Sequence, residues 1–131
     1  MTMDSHDKRK RFNFLNSFSF AGAGIRNAVQ NERNMRFHLI SSLIVLGFSF
    51  YFSISKLEWI FILFAIGGMF TLELINTAIE RIVDLVTEEY HPLAKQAKDI
   101  AAGAVLVYAI LTMIVGFIIF LPYVLKLLQE L

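Results

Sequence analysis

The sequence predicts an all-α membrane protein, with three transmembrane helices preceded by an N-terminal amphipathic surface helix. Three observations predict it. Hydrophobic residues make up 56% of the 131 residues and charged ones only 18%, against ~45–50% and ~25% in soluble domains. A 15.0 kDa chain has too much surface to hide that excess in a core. Three long apolar runs follow one another with short connections; the first and third approach or exceed the ~20 residues that a spanning helix needs, and the second does so only if its acidic end is explained. The net charge of +1 also conceals an asymmetry: residues 1–36 carry seven Lys/Arg against three acids, and the remainder carries five against eight. A basic start ahead of apolar runs points to a membrane surface and away from nucleic acid. Thirteen Phe and two Pro exclude a disordered or collagen-like chain, and the lack of cysteine excludes disulfide scaffolds and thiol chemistry.

Residues 1–11 form a basic cytoplasmic tail in this reading. Residues 12–36 form the surface-helix region: Phe14, Phe18, Ala21, Ile25 and Ala28 recur at steps of three and four, an apolar stripe suited to lie on a leaflet. Residues 37–131 form the membrane domain, with spans at about 37–54, 59–85 and 99–125. The first and third spans lack Asp, Glu, Lys and Arg apart from Asp99 at the very start of the third. The link at 55–58 is short and the link at 86–99 longer, and both imply antiparallel neighbours. Basic residues gather before the first span and, as Lys95 and Lys98, before the third. The positive-inside rule therefore puts the N-terminus and the 86–99 link in the cytoplasm. No cleavable signal is expected.

The second span carries the chemistry. In TLELINTAIERIVDLV (71–86), Glu73, Asn76, Glu80 and Asp84 are spaced 3, 4 and 4 and share one helix face. An acid at a helix centre costs ~2.5–3.5 kcal/mol on insertion and a large apolar residue returns ~0.3–0.6, so two acids cancel about a dozen apolar residues. Such a stripe must face other helices, a wet cavity or the interface. A purely structural stripe near water is the bland alternative, strongest for Asp84 and weakest for the deeper Glu73. Two further clusters reach the same membrane face. NERNMRFH (31–38) holds Glu32 and Arg36 at the i,i+4 spacing of an ordinary helix ion pair. EEYHPLAKQAKDIAAGAVL (88–106) brings Glu89, His91, Lys95, Lys98 and Asp99 to the third span. Carboxylates suit hard cations such as Mg²⁺, which takes one or two of them together with phosphate oxygens. No P-loop and no protein-kinase glycine loop occurs. Three helices cannot easily enclose a polar stripe, so self-association is expected. The residues alone leave three functions open: a phosphate-transferring site, a proton or ion pathway along the stripe, and a small assembly subunit.

Together NER-x-MR-x-H, E-x-x-N-T-A-I-E-x-x-V-D, EYH and A-K-D-x-A-A-G-A-V-L resemble the bacterial diacylglycerol kinase family of small integral membrane lipid kinases. The match spans roughly residues 17–120 in the right order. The K-D-I-A-A-G-A-V-L form and the late F-L-P resemble the Gram-positive branch, whose members are often undecaprenol kinases. The resemblance implies a homotrimer in the bacterial cytoplasmic membrane, with cytoplasmic active sites formed between subunits. It implies transfer of the γ-phosphate of ATP, with Mg²⁺, to a lipid alcohol: undecaprenol, or diacylglycerol as the alternative. It assigns Glu73 as proton acceptor and lipid-site residue, with Asn76 beside it. Glu32 and Glu80 become metal and ATP positions. Glu89, Tyr90, His91, Lys98 and Asp99 become nucleotide contacts, with Lys98 also stabilising the transferred charge. Ala21 and Gly24 would line the lipid site. The chain departs from the best-known branch at Asn13, where that branch has a nucleotide-associated arginine, and at Phe20, a nucleotide position where it has a tyrosine. Arg9 or Arg11 would substitute for that arginine.

Overall fold

The computed structural model describes residues 14–131, so the basic tail, Arg9, Arg11 and Asn13 lie outside the described residues. The described chain is entirely helical: α1 (Phe14–Asn31), α2 (Arg33–Tyr51), α3 (Lys56–Val86) and α4 (Pro92–Gln129). Local chemistry sets the boundaries. Glu32 alone separates α1 from α2; its extended backbone (φ −102°, ψ 123°) breaks one continuous helical run. A tight turn through Ser53, at φ 50°, reverses the chain between α2 and α3. Ser55 then opens α3 with a reciprocal cap: its hydroxyl accepts from the Glu58 amide, and the Glu58 carboxylate accepts from the Ser55 amide. At α4, Pro92 sits in the first turn, where its missing N–H costs nothing, and His91 Nδ1 accepts from the Leu93 amide.

Helix lengths decide where the site lies. α3 has 31 residues and α4 38, about 46 and 57 Å at 1.5 Å per residue. Both are long and apolar enough to cross a membrane, and their apolar windows are largely uncovered by the chain itself. A hydrocarbon layer is about 30 Å thick, so each helix must protrude. The charged stretches show where: Glu80, Arg81 and Asp84 near the end of α3, and Lys95, Lys98 and Asp99 near the start of α4. These two ends are joined by Thr87–His91 and lie side by side. The link expected over 86–99 is therefore much shorter, because 92–99 continues α4 as a helical extension. In α2 the stretch free of Asp, Glu, Lys and Arg, Phe37–Tyr51, is 15 residues, about 22 Å, and α2 does not reach the length and hydropathy of α3 and α4.

Packing is polarised along the bundle. α3 pairs chiefly with α4, while α2 leans on α3 and meets α4 through side chains, with the Phe48 and Phe120 rings 6.5 Å apart. At the end remote from the charges, Ile54, Ile62 and Ile119 form a buried apolar cluster, flanked by Phe52, Trp59, Phe120 and Tyr123. Tyr123 donates to the Glu58 carboxylate at 2.8 Å, which fastens α4 to the capped start of α3. At the other end the buried side chains of α3 are polar: Glu73 is 2% exposed, Asn76 5% and Thr77 5%. Between these zones a groove of about 400 Å³ runs between α2 and α4 over α3. It is lined by Phe37, His38, Val45, Met69, Met113 and Phe120, among others.

Candidate active site

The buried stripe of α3 faces the first turns of α2. The Glu73 carboxylate lies within electrostatic reach of Asn34, His38, Glu80 and Glu32. Glu80 and Glu32 are thus within electrostatic reach of Glu73 in one chain. Asn76 Nδ2 donates to Glu80 Oε1 at 3.1 Å, which sets the amide's orientation, since a carboxylate can only accept. The other face of that amide, Asn76 Oδ1, is buried with no donor. Buried acceptors are nearly always satisfied, so an orphan here marks a point where something else belongs.

Glu32 sits at the break between α1 and α2, and its side chain makes no capping bond to α2. It does not pair with Arg36, as the i,i+4 spacing suggested. Arg36 donates instead to the Gln30 carbonyl at 2.9 Å, across the break. Glu32 Oε1 accepts from Arg81 of α3 at 2.9 Å, and the same guanidinium donates to Asn27 Oδ1 of α1 at 2.7 Å. The extended backbone at Glu32 explains the difference, because an ideal helix through 31–36 would have put Glu32 and Arg36 side by side.

A second cavity, about 240 Å³, opens where α3 ends and α4 begins. Glu89, Tyr90, His91, Lys98 and Asp99 all line it, together with Asp84 and Lys95. Lys98 reaches back to Asp84 and Lys95 to Asp99, so each cation holds an acid. Asp84 is one turn beyond Glu80 on the same face of α3, which makes the stripe continuous from the buried Glu73 to this open cleft. Phe20, Ala21 and Gly24 lie on exposed parts of α1, and a Cβ on Gly24 would meet nothing within 4 Å.

Chemically, the site offers oxygen donors and ammonium or guanidinium donors. Among the described residues no three acids or histidines cluster closely enough to cage a metal on their own. The donor set instead fits a hard cation that takes one or two carboxylates and completes its shell with phosphate oxygens and water. Arg81, Asn27 and Asn34 escaped the reading of the sequence. Arg81 lies one residue off the stripe, and its partners are 49 and 54 residues away in the chain.

Comparison with known proteins places these residues in context. Residues 19–120 match the family described as prokaryotic diacylglycerol kinase. The chain is 52% identical over 121 residues to the undecaprenol kinase of Bacillus subtilis, covering 92% of this chain and 98% of that one. It is 40% identical over 116 residues to a diacylglycerol kinase of Synechocystis, covering 88% and 66%. To the diacylglycerol kinase of Escherichia coli it is 26% identical over 100 residues, covering 76% and 82%.

Proposed function

The chain belongs to the prokaryotic diacylglycerol kinase family and is a lipid kinase, and we propose that it transfers the γ-phosphate of MgATP to undecaprenol, giving undecaprenyl phosphate. The observation that carries the mechanism is the depth ordering of acids on one helix face. Glu73 is buried, and Glu80 and Asp84 follow on the same face toward the charged end of α3. Glu73 and Glu80 are seven residues apart, ~10 Å along the axis. Glu73 accepts the proton of the lipid hydroxyl as its oxygen attacks the γ-phosphorus; the bond from that phosphorus to the bridging oxygen breaks, and ADP leaves. Asn76 holds Glu80 in place through its amide. Glu32 and Glu80 are the carboxylates that would hold Mg²⁺ with the nucleotide. When bound, that ion neutralises charge on the β- and γ-phosphates. Phosphoryl transfer depends mainly on such positioning and neutralisation. Lys98 exchanges Asp84 for phosphate oxygen, and Glu89, Tyr90, His91, Asp99 and Phe20 contact the nucleotide.

The groove between α2 and α4 supports a lipid acceptor. It begins at His38 and Met69, one turn from Glu73, and its apolar lining continues along the bundle to Phe120. We further propose that α2, continued through Phe52–Ile54, is a third span. The functional unit is then a homotrimer in the bacterial cytoplasmic membrane, with the N-terminus and the site inside. The uncovered apolar surface of α4 supports association. Ala21 and Gly24, exposed within one chain, would line the lipid site at a subunit boundary.

The test is a side-by-side assay of purified protein with undecaprenol and diacylglycerol under identical MgATP. Faster phosphorylation of undecaprenol is expected. Preference for diacylglycerol would make the second reading correct, phosphatidic acid synthesis, which the likeness to the Synechocystis diacylglycerol kinase favours. Phosphorylation of neither alcohol would remove the proposal.

A further inference from the structure

We propose that Arg81 is a positioning residue of this kinase, one that fixes the Glu32 carboxylate and the α1–α2 break against α3 so that MgATP meets a preset site. The inference rests on the reading of Glu32 as a carboxylate that holds the nucleotide's metal. Three observations lead to it. First, Glu32 sits at a helix start but makes no capping bond. Its side chain is therefore not held by the helix it opens, and Arg81 supplies the hold. Second, the Arg81 guanidinium spans the break. One nitrogen takes Asn27 on α1 and another takes Glu32, so a single rigid fork fixes the surface helix and the carboxylate together. Third, Arg81 meets Glu32 through one carboxylate oxygen, Oε1. A carboxylate held through one oxygen can still ligate through the other, and ligating carboxylates are generally hydrogen-bonded themselves.

The Arg81–Glu32 pair is half exposed on the arginine side. Exposed pairs of this kind add little to stability. Its value therefore lies in geometry, and its loss should show in ligand binding before it shows in folding.

The experiment uses the full chain in lipid nanodiscs and reads Mg²⁺-dependent binding of a fluorescent ATP analogue beside turnover. Arg81→Gln should weaken Mg²⁺-dependent binding and raise KM for MgATP about tenfold, with kcat changed less than about twofold; Arg81→Lys should recover only part of this. In a Glu32→Gln background, Arg81→Gln should add nothing, since the residue it positions is gone. The exchange Glu32→Arg with Arg81→Glu restores an ion pair but should not restore binding. Additive effects of the two single substitutions, recovery by the exchange, or unchanged binding in Arg81→Gln would each overturn the inference. If Glu32→Gln weakens binding while Arg81→Gln does not, only the role of Arg81 falls. If Glu32→Gln itself leaves Mg²⁺-dependent binding unchanged, the assignment of Glu32 falls and takes this inference with it.

Discussion

Asn76 lies between Glu73 and Glu80 on one face of α3, the two acids proposed to divide the chemistry. Its amide nitrogen holds Glu80, and its buried oxygen waits for a donor. Asn76→Ala removes the hold without adding charge. Substitutions behind a metal ligand typically cost 10–100-fold in metal affinity or activity. The Mg²⁺ concentration for half-maximal turnover should therefore rise about 10–100-fold, and an unchanged titration would separate Asn76 from Glu80. Glu73 calls for the opposite signature. Glu73→Gln keeps shape and hydrogen bonding but cannot accept a proton. General-base contributions run to 10²–10⁴-fold, so kcat should fall by about that factor while the Kd for MgATP stays within about twofold. Near-normal turnover would transfer the base role to Glu80, which geometry alone also permits.

At Gly68, α3 makes room for Tyr108 of α4. A Cβ built there would stand 2.0 Å from the Tyr108 hydroxyl, and that hydroxyl donates to the Phe64 carbonyl at 2.7 Å. Gly68→Ala must therefore displace the tyrosine ring and break its bond. Overpacking costs ~1–3 kcal/mol, and a typical hydrogen bond contributes about 1. Thermal unfolding in detergent should show a loss of about that size in Gly68→Ala, and almost none when Tyr108→Ala is already present. Lowering of stability by the same amount in both backgrounds would mean the clash is not its source. This contact also shows where the sequence stops being legible. The apolar runs and the stripe at 73, 76, 80 and 84 are properties of one helix, readable from spacing alone. The start of α4 at Pro92 was hidden, because a charged extension beyond the membrane has the composition of a loop. Arg81 was hidden for another reason. Its partners approach only after the chain has folded back on itself, and no local period records that. The cleft around Lys98 was half legible: its members were recognisable by resemblance, but their pairing with Asp84 and Lys95 was not.

At the scale of the whole molecule, the question is how many chains make one site. Glu32 and Glu80 both lie within electrostatic reach of Glu73 in a single chain. The cleft of Lys98 and Asp99 opens at the junction of α3 and α4 in the same chain, yet exposed Ile100, Val107 and Ile114 leave α4 free to pack on a neighbour. Under the proposed trimer with shared sites, the carboxylate group of one subunit works with the cleft of the next. Subunits carrying Glu73→Gln lack the first part, and subunits carrying Lys98→Met lack the second. In randomly mixed trimers at equal proportion, a working site needs an intact carboxylate group followed by an intact cleft, so about a quarter of wild-type turnover should return in a closed ring. Mixing Glu73→Gln with Glu32→Gln should return nothing, because both lesions fall in the same within-chain group. Turnover assays after co-expression and joint purification of each pair check both statements. No recovery in the Lys98 pair would put the entire site inside one protomer, and recovery in the Glu32 pair would contradict the geometry that joins Glu32 to Glu73.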